Sequence, residues 1–292
     1  MGGRSLAGIG VGALALVVAC GTLQGSPGDG TDPPTSADAS PEGASVADAA
    51  SEAGFAIDAG DAGAYVVEVL ADGPIRYYRL GEVAADAVAH DMVGPGAGTH
   101  VLTKRGVGGA IPSDPDTATG FDGTTADVVI PAAAMPAFEQ LAPFTIEVWT
   151  KPATQPTSFQ HLVTREWNDP TAGREGYALF IEAGQGFAIE RYVDGANRKV
   201  IDATRPSTTA FAHVVATFNG SELALYVNAQ QVGAVIADAR PIATAGALAP
   251  IGYLGCGQTC DNRFGGVIDE VAMYDHVLSP ARIQAHYAAG TR

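Results

Sequence analysis

Basic residues are scarce in this 292-residue chain: 16 Lys and Arg stand against 32 Asp and Glu, a formal net charge of −16. No basic run interrupts that excess. Nucleic-acid binding, which rests on neutralising phosphates, is therefore excluded as a reading. Cysteine is rarer still, with only Cys20, Cys256 and Cys260, so no dense disulfide framework replaces a hydrophobic core. Long apolar runs are missing too. The stretch from Leu6 to Ala19 falls short of the roughly 20 residues needed to cross a bilayer. Aromatics make up 7% of the chain, yet two Trp and nine Tyr suffice for one core and one binding face.

The first residues carry an export pattern. Arg4 supplies positive charge, the apolar stretch follows, and Val17-Val18-Ala19-Cys20 closes it. That ending resembles the lipobox of bacterial lipoproteins, which implies a diacylglycerol on the Cys20 sulfur; an ordinary cleaved signal peptide is the alternative. Gly21 in place of Asp points, within the resemblance, to the outer membrane or cell surface. Residues 1–20 thus read as a lipoprotein signal peptide, and the protein is expected to be exported and membrane-anchored. Residues 21–64 hold Gly, Pro, Ser, Ala and eight acids with no Lys or Arg, and read as a disordered acidic linker. Such a tether has an r.m.s. span of about 35–40 Å.

From residue 65 the texture changes to alternating apolar runs. Val66 to Leu70 opens the series and Ile75 to Leu80 follows. In Phe144 to Thr150, Phe144, Ile146 and Val148 line one face while Glu147 and Trp149 line the other. Tyr177 to Ile181 and Phe187 to Tyr192 end at the turn Asp194-Gly195. The clearest hairpin joins His213–Phe218 to Leu223–Val227 through Asn219-Gly220, and Gln231 to Ile236 extends it. Val267, Val271 and Met273 share one side of a last strand, Ile268, Ala272 and Tyr274 the other, with Asp269 and Glu270 placing one acid on each face. A short helix closes the chain, with Ser279 as N-cap, Pro280 at its first position, Ile283 and Tyr287 facing the body, and Gly290 just past its end.

These last residues carry a resemblance. G-x-IDEV-x-x-Y followed by LSP-x-x-I-x-x-HY-x-x-G is similar to the end of laminin G-like, concanavalin A-like jelly-roll domains of bacterial surface proteins. ADGPIRYYRLGE (71–82), FDG (121–123), FTIEVWTKP (144–152), AHVVATFNGSELALYVN (212–228) and PIGYLG (250–255) match in the same order. The resemblance covers residues 65–292. It implies an all-β fold, a two-sheet antiparallel jelly-roll sandwich with a short C-terminal helix. It implies no activity, because such sandwiches carry many unrelated functions.

Chemistry is sparsely marked. No E-x-D-x-E pattern, G-x-S-x-G, H-E-x-x-H or G-x-x-x-x-G-K-[ST] occurs, so an enzyme is not expected. Glu147 and Glu190 stand alone on their strands and read as solvated; His213 and His286 fall where the family has His, which points to packing or structural hydrogen bonds. Cys256 and Cys260 flank a Gly-rich loop and suit a disulfide in an oxidising compartment, with a metal pair as the rival. A structural Ca²⁺ is the one cofactor considered. The resemblance suggests Asp269 with Glu82 or Asp122 as its ligands, against a reading in which Asp269 merely accepts hydrogen bonds. For a ligand, Trp167, Tyr177 and Tyr192 offer stacking surfaces and Arg165 and Asn168 polar contacts, with the stretch 165–176 read as a recognition loop; each aromatic also reads as core. The expected role is noncatalytic binding of a glycan or an extracellular or envelope partner, touching the membrane only through the lipid. A hydrolase on the same fold and a purely structural envelope lipoprotein are the alternatives.

Overall fold

The computed structural model describes residues 63–246 and 251–292. The signal peptide, Cys20 and all but the last two residues of the linker lie outside that range. Helix α1 (Ala64–Ala71) comes first. Strands β1 (Arg76–Tyr78), β2 (Val88–Ala89), β3 (Gly98–Val101), β4 (Lys104–Gly108), β5 (Thr117–Asp122) and β6 (Asp127–Ile130) follow. The long strands come next: β7 (Phe144–Pro152), β8 (Gln160–Asp169), β9 (Gly173–Ile181), β10 (Phe187–Val193) and β11 (Ala196–Ile201). Then come β12 (Ala212–Phe218), β13 (Glu222–Val227), β14 (Gln230–Ala237), β15 (Gly252–Leu254) and β16 (Gly265–Tyr274), closed by helix α2 (Pro280–Gly290). No helix among the described residues is long and apolar enough to cross a membrane.

The strands form two antiparallel sheets. The first runs β14-β13-β12-β7-β16-β5-β4, with β1 also paired to β16; the second runs β11-β10-β9-β8-β15-β6-β3-β2. The two-sheet sandwich with a short C-terminal helix is as the sequence led us to expect. Its core lies between the sheets, where the alternating sets Phe144, Ile146, Val148 and Val214, Ala216, Phe218 meet Tyr177, Leu179, Ile181 and Ile189. Residues of opposite phase on β7, β12 and β16 (Trp149, Val215, Ala272, Tyr274) form a second apolar layer with Tyr65, Val66, Val69 of α1 and Ile283 of α2. Both helices therefore cover the outer face of the first sheet. The second sheet has no such cover among the described helices.

Three local readings are corrected. Val66 to Leu70 is helical: Tyr65, Val66 and Val69 are buried, an i, i+1, i+4 stripe that packs on the sheet despite the β-branched valines. Residues 165–176 are not a loop but two long strands, β8 and β9, joined by a tight turn in which Asp169 Oδ1 accepts from the amides of Thr171 (2.8 Å) and Ala172 (2.9 Å). In β16 the pairing with β7 slips between Asp269 and Ala272, and Glu270 has φ of 50°. This bulge inserts one residue and resets the alternation, so Ile268, Val271 and Met273 face the core, while Asp269 and Glu270 both reach the helix-covered side.

The closing helix starts as expected, with Ser279 Oγ accepting from the Arg282 amide at 3.3 Å. Gly290, however, is its last residue rather than a stop signal. A Cβ there would lie 2.4 Å from Trp149 Cζ2, and that indole is held by Tyr65, His213 and Tyr287. Gly290→Ala, which by helix propensity alone would stabilise, should instead cost about 1–3 kcal/mol, read by urea denaturation. A neutral or stabilising result would show that Trp149 can shift.

Candidate functional site

The outer face of the second sheet, which no described helix covers, carries a concentration of polar side chains. Period-two alternation decides which side chains point there. With Tyr177, Leu179 and Ile181 inward, the cross-strand partners Glu166, Asn168, Arg174, Phe180, Glu190, Tyr192, Asn197 and Lys199 point outward, and His161 joins them through a bulge beside Leu162. Phe159, His161, Arg174, Phe180, Tyr192 and Lys199 line a cavity of about 240 Å³, with Glu190, Asn197 and Asn262 completing its polar wall.

Its residues are tied in pairs. The Arg174 guanidinium lies 4.1 Å over the Tyr192 ring and bonds Glu166 Oε2 at 2.5 Å. Asn197 Nδ2 donates to Glu190 Oε2 at 2.9 Å, and Lys199 pairs with Glu182. His161 stacks on Phe180 with centroids 5.4 Å apart; it is 4% exposed and neither ring nitrogen has a partner. Glu166 Oε1 is likewise buried and unpartnered. Burial pushes the Glu166 carboxyl up to about 7 against the opposing pull of Arg174, and pushes His161 down to about 4. At neutral pH His161 is therefore an uncharged imidazole with one donor and one acceptor free. Buried polar atoms are nearly always satisfied, so these orphans are unused hydrogen-bonding capacity at the back of the cavity wall.

Of the ligand candidates read from sequence, Tyr192 lines this cavity and Asn168, exposed, stands beside Arg174 on the same face. The other three point the opposite way. Trp167 packs at 3% exposure with Val193, Ile242 and Ala245; Arg165 is 4% exposed; Tyr177 is in the core with its hydroxyl donating to the Pro136 carbonyl at 2.6 Å. They offer a ligand no surface. His161, Glu166, Arg174, Asn197, Lys199 and Asn262 were not singled out from sequence, and Glu190 was read only as solvated. The signal that could have found them is strand phase: reading 165–176 as strands places Glu166, Asn168 and Arg174 opposite Arg165 and Trp167.

Glu147 and Glu190, expected to be solvated, are both buried. Glu147 lies under the two helices and accepts from Tyr65 (2.8 Å), Tyr274 (3.0 Å), His213 Nε2 (2.6 Å) and His286 Nδ1 (2.9 Å). Burial would raise its pKa, but His286 and His213 outweigh it and hold the carboxyl well below the usual range. This is the structural hydrogen bonding expected of His213 and His286.

The calcium candidates are engaged separately. Glu82 accepts from the His90 amide at 2.8 Å and lies 3.0 Å from His100 Nε2, while Asp122 Oδ1 caps a turn by accepting from the amides of Thr124, Thr125 and Ala126. Asp269 Oδ2 accepts from the Ala110 amide at 2.7 Å, and its buried Oδ1 has no partner. Among the described residues only Asp127, Cys256 and Cys260 bring three ligand atoms within 4.8 Å of one another. Both cysteines there are joined in a disulfide, Cα atoms 4.8 Å apart, which removes the thiolates a metal needs. The structure thus does not gather Asp269, Glu82 and Asp122 into one cage.

Proteins of known structure share this architecture. Domain 4 of the extracellular GH43 arabinanase AbnA from Geobacillus stearothermophilus, solved with arabinotriose, matches with a TM-score of 0.51 and 15% identity over 73% of this chain and 98% of its own. Trypanosoma rangeli sialidase matches with a TM-score of 0.52 and 15% identity, covering 74% of this chain and 32% of the sialidase. The ligand-binding domain of botulinum neurotoxin serotype D, solved with N-acetylneuraminic acid, gives 0.50 and 13% identity over 74% and 51%. The chain thus spans nearly all of the first and only part of the other two, and at these identities the likeness is one of fold. No curated protein matches. The family described as the concanavalin A-like lectin/glucanases superfamily matches residues 111–284, more than half of the sequence, and the chain belongs to it.

Proposed function

We propose that the protein is a noncatalytic glycan-binding module of the cell envelope, anchored through Cys20, that holds its ligand on the outer face of the second sheet. One observation carries this reading: a cavity on that face lined by the Tyr192–Arg174 stack together with the polar side chains of Glu190, Asn197, Lys199 and Asn262. A sugar ring stacks on an aromatic face while its hydroxyls take up free donors and acceptors. That proteins of the same fold have been solved with arabinotriose and N-acetylneuraminic acid supports it. The test is a glycan array with calcium and with EDTA, followed by titration of the best binder. Tyr192→Ala and Arg174→Ala should each weaken binding about tenfold, and Trp167→Phe, in the interior, should leave it within about twofold. Failure of every glycan to bind would sink the reading.

One second reading is favoured by a specific feature: Glu166 and Glu190 share this face and both have raised pKa values, as a glycoside hydrolase acid requires. Release of reducing ends from the bound glycan, lost in Glu166→Gln, would replace binding by hydrolysis.

A further inference from the structure

The first sheet carries an independent cavity at the end that the helices leave open. Lys151 of β7 pairs with Val267 of β16, Val267 with Gly120 of β5, and Gly120 with Lys104 of β4. These four therefore stand in one cross-strand row, the lysines about 14 Å apart at its ends. Between them lies a cavity of about 370 Å³, walled further by Val107, Phe121 and Pro152. Its floor is hydrocarbon. Among the described residues neither lysine has a carboxylate within 4.0 Å, in a chain where acids outnumber bases two to one. Lys151 Nζ rests 4.6 Å over the Phe211 ring instead. Asp122 also lines the cavity; Thr124, Thr125 and Ala126 engage its oxygens and hold it ionised, so two ammonium groups there stand against one carboxylate.

The rim adds a second oddity. Leu102 leaves 75% of its surface in water and holds φ at 50°, a conformation in which leucine is rare. A large apolar residue both exposed and strained at the lip of a cavity gains nothing in the isolated chain, and such outliers cluster where something binds. Apolar floor, apolar lip and a rim with one net positive charge are complementary to one chemistry, a carboxylate on an aliphatic body.

We propose that this cavity is a binding site for a small amphiphilic carboxylate, whose aliphatic part covers Val107 and Val267 and whose anionic head meets Lys104 and Lys151. It lies on the opposite sheet from the glycan face and does not depend on it. The probe is octanoate, titrated into the full protein below its micelle concentration by calorimetry and followed by amide NMR, beside octan-1-ol and octyltrimethylammonium. Saturable one-to-one binding is expected, about fivefold or more tighter than either comparator, with shifts around Val107 and Val267. Lys104→Ala/Lys151→Ala, whose unchanged thermal unfolding would certify its fold, should weaken octanoate about fivefold or more and leave octan-1-ol unchanged. Equal affinity for octan-1-ol, indifference to the double substitution, or no saturable binding would each overturn the proposal.

Discussion

Glu147→Gln should lower stability by about 3–5 kcal/mol, the range seen when one partner of a buried ionic network is removed. For a domain of this size that is a fall in Tm of roughly 6–20 °C. Four side chains from four elements point at this carboxylate: Tyr65 from α1, His213 from β12, Tyr274 from β16 and His286 from α2. Glutamine keeps the volume but supplies one acceptor where two are used, and leaves His286 without its counter-charge. The pH dependence has a definite sign. Burial alone would lower the pKa of His286, but Glu147 outweighs it and raises it, so this part of the stabilisation is complete below the unfolded imidazole value of about 6.5 and fades as pH rises through the folded one. The Glu147 part is complete above the unfolded carboxyl value of about 4.3 and fades as pH falls through its depressed folded value. The gap between wild type and Glu147→Gln, measured by urea denaturation, should therefore be widest between about pH 4.3 and 6.5. A gap under about 1 kcal/mol, or one that grows at pH 9, would show that the network is not ionic.

Asp269→Asn should do the reverse and stabilise the protein in alkaline solution. The bulge of β16 buries Asp269 and Glu270 side by side. The nearest guanidinium, Arg79, is shared among Glu270 (2.9 Å), Asp114 (2.7 Å) and Asp116 (3.1 Å). Burial raises Asp269 well above the usual carboxylate range and brings Glu270 to about 7, each aggravated by neighbouring acids. An acid with a raised folded pKa removes stability as pH climbs from its unfolded value to its folded one. Removing Asp269 should then give a gain on the order of 2 kcal/mol at pH 8 that shrinks to nothing near pH 4. Thermal unfolding with and without calcium decides between this and a metal site. If Ca²⁺ raises the wild-type Tm at pH 8 and Asp269→Asn abolishes the rise, the acid is a ligand and the destabilising reading falls.

Much of the fold could be read where the pattern was local. The alternation of Phe144, Ile146 and Val148, the β12–β13 hairpin and the Ser279-Pro280 helix start are each set by a few neighbouring residues, and the structure keeps them. What escaped depended on partners far along the chain. The valines of α1 suit a strand by propensity, and only packing beneath α2 makes them helical. Turn-forming residues in 165–176 suggested a loop, but the turn needs only the few residues after Asp169, and the rest belongs to paired strands. The bulge at Glu270 leaves no mark in a binary pattern; one extra residue put both acids on one side. The candidate site suffered most, because a side chain's face follows from register. Misplacing β8 and β9 turned Trp167 and Tyr177 outward on paper and hid His161 and Glu166.

Helix α1, at the start of the described domain, and helix α2, at its end, lie against each other. Arg282 Nε bonds Asp72 Oδ2 at 2.8 Å and its Nη2 bonds Glu68 Oε2 at 2.7 Å. The helices that open and close the described domain are thus clipped together on the side of the sandwich opposite Tyr192 and Arg174. A domain built this way is portable. Sequence spliced onto either end of the described domain departs from the helix-covered side, away from the sheet that carries Tyr192 and Arg174.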